Sequence, residues 1–513
     1  MRIKTLSLTD FRAFPGPAPT TFELDGKNLL VYGENGSGKS SLFHALRGMF
    51  SYDTPPNLLN LRNSFSGAGI GSVRVQVVFD DTSFADWEVG ASAKPARLGF
   101  AHPEPVGPFV VPIHPGHSVP KNSDVTEAAK FSAMLDYRSL LNTNYKHGDG
   151  AINLFEPIVA ELLAGFVDLA TNRTIWELWQ AVKRNLPAIN TSTQIGNALS
   201  ACGQFNAAMK RAIALLLPEA QAILQRLCPN GLQLVDLPFQ GVRYNGAKAS
   251  RDKAYVDKEI GLQISFRGMD VDRPQNYLNE ARLSALGLAL YLGARLACTP
   301  QTTQHLRLLV LDDVLVGLDH SNRLPVLDVL KTHFSEWQIV LLTHDRGWFD
   351  LAYAKLPSAT WCCYEIFEGD PLATAPRPVH RQIPMDPSMD RPARIYLDYA
   401  KSMLALNYPE AAANYARQAM EATLRGGCEK QNVVIPFVRD PKKIKAQFLL
   451  DQLKAWGGNA KVNKTTLDPI LDRLILLKDV VMNPYSHPSA PNIPKSEVQA
   501  AVTAVSELLV LIG

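Results

Sequence analysis

Eight residues near the N-terminus, Gly33-Glu34-Asn35-Gly36-Ser37-Gly38-Lys39-Ser40, match the pattern G-x-x-x-x-G-K-[ST] completely. Glycines at this spacing let backbone N–H groups turn toward an anion, and a helix starting directly behind them adds partial positive charge. Lys39 has the reach to meet β- and γ-phosphates, and the Ser40 hydroxyl suits a Mg²⁺ ligand. Gly33, Asn35, Gly36, Gly38, Lys39, Ser40 and Ser41 are therefore the candidate contacts for ATP, with Mg²⁺ as the accompanying ion.

Cleaving a γ-phosphate needs a second strand that ends in a carboxylate. Leu306 to Leu311 runs straight into Asp312 and Asp313. Asp312 is placed to hold the Mg²⁺ water shell and Asp313 to polarise an attacking water. An apolar strand followed by two aspartates is, by itself, equally a strand end with a solvated turn. Two further features argue for chemistry. Gly317-Leu318-Asp319 follows at the spacing of a dimer-contacting loop, and the run from Ile339 to Leu342 carries His344 to the end of the next strand, within reach of a γ-phosphate.

The elements that must position these residues are legible around them. Asn28 to Tyr32 is a short apolar run ending at glycine, as a buried parallel strand should be, and Ser40 to Phe50 has helical spacing. Ser72 to Phe79 alternates with period two. The pattern turns helical from about Asp124 to Cys228, without sustained heptads, which excludes a long coiled-coil arm. Strand-like stretches return near 232–235 and 262–266. They are followed by helix Tyr277–Ala297, strand Leu306–Leu311, helix Arg323–Phe334 and strand Gln338–Leu342. Such alternation predicts a largely parallel, doubly wound core. Residues 371–392 are rich in proline and polar residues and read as a linker. Five amphipathic stretches then fill 393–513 as a small helical bundle.

Bulk properties narrow the class. A length of 513 residues suggests about three folding units. A formal net charge of +3 is too small to imply nucleic-acid binding. The six cysteines are scattered without metal-ligand spacing, which fits a reducing compartment and a cytoplasmic location. The N-terminus lacks the apolar run of a signal peptide, and no stretch approaches the roughly 18 uncharged apolar residues of a membrane span, so no membrane partner is expected.

The order FRAF…NLLVYGENGSGKSSLFHAL…LLVLDDVLVGLDHSNR…IVLLTHD resembles compact ABC-type ATPase heads of the SMC/RecF-like class. The resemblance implies ATP held between two heads, each completing the other's site with a signature loop ahead of a helix. Where LSGGQ or LSxGE is usual, this chain has Leu278-Asn279-Glu280-Ala281-Arg282, with Asn279 in the serine place and both glycines missing. Asn279 is then either a donor to a γ-phosphate or an ordinary helix N-cap. No glutamine follows the Ser72–Phe79 strand at a clear position for a Q-loop. The resemblance also implies glutamate where Asp313 stands. The shorter side chain points to slow turnover and a long-lived ATP-bound state, as in a switch.

The fold expected is α/β: an ABC-type P-loop ATPase head over 1–370 with a helical insertion, the 371–392 linker, and a C-terminal all-α, HEPN-like bundle over 393–513. Ribonuclease members of the HEPN group carry R-x₄₋₆-H. His487 occupies the histidine place, but Val480, Val481 and Met482 fill the positions open to arginine, which favours an interaction or oligomerisation module. Glu365 to Asp370 faintly resembles a Toprim start, yet the later aspartate pair is missing, so it reads as strand and turn.

Long coiled-coil relatives, zinc-hook proteins and Toprim-bearing nucleases are thereby set aside. What remains is similar to ATPases of bacterial anti-phage systems: PtuA of Septu, also found with some retrons, AriA of PARIS, and the RloC/PrrC group. That similarity implies a regulatory or sensor ATPase that forms a head-to-head dimer or higher oligomer and holds a separately encoded toxin or nuclease. Two alternatives stay open: an anticodon-nuclease-type RNase gated by the head, and a RecF-like DNA-repair or end-sensing ATPase. Nucleic acid remains open as a partner through Lys442, Lys443 and Lys445, which equally suit a solvated helix face.

Overall fold

A computed structural model of the chain describes residues 1–50, 58–66, 72–89, 97–101, 109–112, 128, 132–136, 152–229, 231–247, 249–299, 305–315, 317–318, 320–370, 373, 376–383, 385, 391–435, 444–484 and 494–513. It divides into two units, Met1–Met385 and Asp386–Gly513.

In the first unit, β1 (Ile3–Thr9) and β2 (Thr20–Glu23) pair before the chain passes through β3 (Asn28–Gly33) and helix α1 (Lys39–Phe50). It returns as β4 (Val73–Phe79), β5 (Phe84–Val89), β6 (Arg97–Ala101) and β7 (Phe109–Pro112), forming an antiparallel sheet ordered β2-β1-β4-β5-β6-β7. Strand β3 belongs to a second sheet with β8 (Ala133–Asp136), β9 (Leu308–Asp312), β10 (Gln338–Thr343), β11 (Trp361–Phe367) and β12 (Val379–Ile383). Its order is β12-β11-β3-β10-β9-β8, parallel throughout except between β11 and β12.

The uninterrupted apolar runs of β3, β9 and β10 follow from burial on both faces. Leu29, Val31, Leu308, Val310, Val340 and Leu342 join a core with α1 and the antiparallel sheet. The alternate residues Leu30, Leu309, Leu311, Ile339 and Leu341 join a second core with the helices of the opposite layer. Those helices include α2 (Ile175–Arg184), α3 (Ser192–Leu227) and α4 (Glu280–Cys298). Gly293 of α4 permits a close crossing, because a Cβ there would lie 2.6 Å from the Ala220 backbone nitrogen of α3. Helices α5 (His320–His333) and α6 (Arg346–Lys355) belong to the same unit, as does a small antiparallel sheet of Leu232–Asp236, Gln263–Phe266 and Met269–Val271. Helix α4 is long and apolar enough to cross a membrane by composition, but 78% of its apolar window is buried inside the protein.

Three expectations are corrected. The segment expected to be helical from about Asp124 contains β8, which pairs in parallel with β9 and extends the sheet. Four residues give too little alternation to betray a strand. The stretch expected as a 371–392 linker contains β12, held to β11 through a Cys363↔Ile383 to Phe367↔Val379 register. Helix α3 lies within the stretch expected to be helical; capped at its start by the Thr191 side chain, it runs 36 residues from Ser192 through Pro218. Pro218 is tolerated because it lies on the exposed face, where the carbonyl it leaves unpaired can meet water. The expected helix Tyr277–Ala297 is interrupted: Pro274–Tyr277 is a separate short turn, and Leu278 and Asn279 are extended before α4 begins.

The second unit is all helical: α7 (Arg391–Ala405), α8 (Pro409–Lys430), α9 (Ala446–Ala455), α10 (Lys464–Leu477), which continues into a π-helical turn at Lys478–Met482, and α11 (Lys495–Ile512). Its core is its own, built from Leu397, Met420, Leu450, Leu471, Met482, Val505 and their neighbours.

Candidate functional site

The phosphate loop joins β3 to α1 at the end of the parallel sheet. Gly36 and Gly38 have φ of +90° and +104°, a backbone region that side chains rarely adopt, and this turns the loop's amides inward. Lys39, only 4% exposed, folds over the loop and donates to the Gly33 and Glu34 carbonyls. Burial pulls its pKa down, against the opposing pull of Asp313, Asp312 and Glu34. A cation held in a half-dry loop, with carboxylates near, is what a polyphosphate would meet.

A cleft of 460 Å³ opens in front of the loop, lined by Asn35, Gly36, Gly38, Lys39, Ser40, Ser41 and, from across it, Asp313. Gly33 stands behind, as acceptor for Lys39. Ser41 is buried and its hydroxyl accepts the Ala13 amide, which ties the segment after β1 to α1. That segment supplies residues the sequence reading missed: Arg12, with Asn60, Arg62 and Ser64 from the loop after α1, lines the same cleft. Arg12 has φ of +49°, and its backbone is clamped by Leu61 O and by the Asn63 side-chain amide. Its Nε is buried without a hydrogen-bond partner among the described residues, and burial lowers its pKa. Arg62 differs, being paired at 2.6 Å with buried Asp10. The signal in the sequence was the arginine of FRAF, directly after a strand; nothing local shows that it folds back onto the loop.

Asp312 is 7% exposed, and Ser40 hydrogen-bonds its side chain. Burial first, then Asp313, pushes its pKa up to about 6, with Asp136 of β8 adding to the rise. Asp136 stands directly opposite Asp312 in the β8–β9 register, a third carboxylate that sequence spacing did not reveal. The Asp312 Oδ1 is buried with no hydrogen-bond partner among the described residues. The described residues hold no cluster of three metal-ligating side chains, but this orphaned oxygen, on the carboxylate that Ser40 hydrogen-bonds, suits one ligand of a divalent cation.

Asp313 leaves the strand with φ of +53°. Its carboxylate accepts the His344 backbone N–H at 2.9 Å and lies 2.8 Å from His344 Nδ1. A carboxylate only accepts, so Nδ1 carries the proton, and in the neutral ring Nε2 is then the acceptor. The two residues were expected to act separately, on water and on the γ-phosphate. The structure brings them together: Asp313 lines the cleft, while His344 stands behind it as its partner.

Asn279 is the N-cap of α4, its side chain accepting the Arg282 amide at 3.1 Å, and it does not line the cleft. Glu365, in the stretch compared with Toprim, lies in β11 and pairs with Arg346 at 2.6 Å. Asp319, Lys442, Lys443 and His487 lie outside the described residues. Val481 and Met482 are buried in the bundle core, and Val480 is half exposed. All six cysteines are buried and none is in a disulfide.

A family model described as an AAA domain matches residues 5–93, the segment holding β1 to β5 and the phosphate loop. Among curated proteins none matches the chain. Solved structures similar to it include an Smc head bound to the C-terminal winged-helix domain of ScpA, at 12% identity and a TM-score of 0.40, covering 75% of this chain and 99% of that one. The recombination mediator RecF with ATP is similar at 12% identity and a TM-score of 0.47, over 74% and 97% of the two chains. A Pyrococcus furiosus Smc head with an extended coiled coil, bound to the ScpA C-terminal domain, is similar at 14% and 0.42, over 74% and 96%. Likenesses at this level carry no residue's role from those proteins to this chain.

Proposed function

We propose that the chain is an ATP-binding and ATP-hydrolysing protein of the SMC/RecF-like ABC type, working as a slow switch. One observation carries the reading. A complete phosphate loop, the cation Arg12, and the strand-end groups Asp312, Asp313 and His344, far apart in sequence, converge at one 460 Å³ cleft or directly behind it. Gly36, Gly38 and Lys39 would hold the β- and γ-phosphates, with Arg12 as a second cation. Ser40 and Asp312 would hold Mg²⁺, which when bound neutralises phosphate charge. Asp313, oriented by His344, would accept the proton of an attacking water placed in line with the γ-phosphate.

The finer reading is a regulatory or sensor subunit of an anti-phage defence complex that controls a separately encoded toxin or nuclease through ATP-dependent head pairing. Two observations support it over an RNase in one chain: apolar residues fill the positions open to arginine, and two of those three are buried in the bundle. The compact head also has a 36-residue helix as its longest described element, so partners would dock directly on a small body.

Lys39→Ala should abolish ATP binding in an equilibrium titration, and Asp313→Asn should leave binding within about twofold while single-turnover hydrolysis falls by about a hundredfold. Wild-type hydrolysis rates in the Asp313→Asn protein would sink the assignment of Asp313. Co-expression with neighbouring genes tests the finer reading, which requires a toxin or nuclease to co-purify in an ATP-dependent manner.

A further inference from the structure

Two ties join the ends of β9 and β10. The first is the Asp313–His344 pair. The second lies one step further out and uses Arg323 of α5. Its Nε donates to the Leu318 carbonyl at 2.9 Å, in the loop that follows the two aspartates, and its Nη1 donates to Asp345, the residue after His344. Asp345 serves two ends with different oxygens: Oδ2 takes Arg323, and Oδ1 caps α6 by accepting the Trp348 amide at 2.9 Å. The Trp348 indole in turn donates to the Arg323 carbonyl at 3.4 Å. The Arg323 side chain is 13% exposed, so this pair is shielded from much of the screening that weakens surface ion pairs.

Between the ties lies a cavity of 50 Å³, walled by Asp313, Leu315, Arg323, His344, Asp345 and Trp348. Val314, Leu315 and Leu318 of the loop are buried in the adjoining core, so its apolar side is anchored by packing. The void itself offers no partner atoms, so on the side facing it hydrogen bonds fix the loop against the strand end that bears His344. We propose that Arg323 is a positioning residue: with Asp345 it locks the loop after Asp313 to the strand end bearing His344, so that the two move as one body during hydrolysis. The proposal rests on the ATPase reading for its catalytic consequence, but the lock itself does not.

The test uses the full chain and three variants. Arg323→Ala removes both bonds. Arg323→Lys keeps a cation that can reach only one partner at a time. Asp345→Asn keeps the helix cap while removing the charge that Arg323 meets. Amide hydrogen exchange is read in peptides spanning 310–318 and 343–348, with the bundle helix 464–477 as internal reference. The expected result is exchange about tenfold faster in both peptides together, in Arg323→Ala and in Asp345→Asn, with the reference unchanged. In turnover, kcat should fall about tenfold with KM within about twofold, and Arg323→Lys should lie between. Acceleration confined to the peptide nearest each substitution overturns the lock, and so does a raised KM with unchanged kcat. If the wild-type chain hydrolyses no ATP, the ATPase reading fails, and exchange alone decides whether the lock exists.

Discussion

The two units bury different kinds of residue. The first encloses Asp10, Ser37, Lys39, Ser41, Asn63, Asp312 and Thr343 near the cleft, and the Ser37 hydroxyl, Arg12 Nε and Asp312 Oδ1 there lack hydrogen-bond partners among the described residues. The second encloses only Thr423 and Lys478 among its described polar residues, both satisfied, by the Ala419 carbonyl and by Asp479, and one further side-chain oxygen, Asp468 Oδ1, is buried there without a partner among the described residues. Burying an unpaired polar group costs on the order of 1–3 kcal/mol, so a fold that keeps several around one cleft is arranged for something it binds. A fold that keeps almost none is arranged for packing. The contrast is what the proposed division, chemistry in the head and interaction in the bundle, requires.

The largest effect that would sharpen this contrast is in the bundle. Leu450 is fully buried there, and Leu450→Ala should destabilise that unit by about 2–5 kcal/mol in denaturant unfolding. ATP affinity of the full chain should stay within about twofold; a parallel loss would mean that the units do not divide labour as proposed.

The next effect is on the head and depends on pH. The folded chain holds the Asp312 pKa at about 6 against a usual 3.8, so folding favours the neutral carboxyl more than water does. Its stabilisation is fully present below about pH 4 and is lost as pH rises through about 6, a difference of about 3 kcal/mol. Asp312→Asn, neutral and of the same shape, should therefore raise the melting temperature of the nucleotide-free protein at pH 8 and give little or no gain near pH 4. A variant that is destabilised at pH 8 would show that Asp312 is instead a paired structural carboxylate.

The smallest effect separates the two roles left open for Asn279. Asn279→Ala should cost about 1 kcal/mol through loss of the cap, whereas Asn279→Asp keeps the cap. If Asn279 meets a phosphate across a head pair, the added charge in Asn279→Asp should abolish ATP-dependent dimerisation seen by light scattering. If it is only a cap, dimerisation should be unchanged.

What the sequence revealed and what it concealed follow one rule. Gly33 to Ser40 and the Leu306–Asp313 run were legible because their chemistry is written in consecutive residues with strong local structure. Arg12, Asn60, Arg62, Ser64 and Asp136 were not, because their place at the site is made by long-range pairing: Arg12 N–H to Leu61 O, and β8 beside β9. The same holds for β12, whose strand character comes from β11 and not from its own Val-His-Arg-Gln-Ile. Helix α4 was visible and Asn279 as its N-cap was one of two readings, but the extended Leu278 that separates it from Tyr277 was not, since cap geometry outweighs an apolar pattern at a helix start.

The two-sided burial of β9 has a consequence for how this chain can change over evolutionary time. Leu308 and Val310 face the α1 layer, Leu309 and Leu311 the opposite one, and Asp312 shares the parity of the first pair, which is why it meets Ser40. A one-residue deletion within Leu308–Leu311 would leave the strand as apolar as before yet send the carboxylate to the helix layer. Exchanges of one aliphatic residue for another should thus be tolerated in this strand, while any change of its length by an odd number would be lethal to the site and nearly silent in composition.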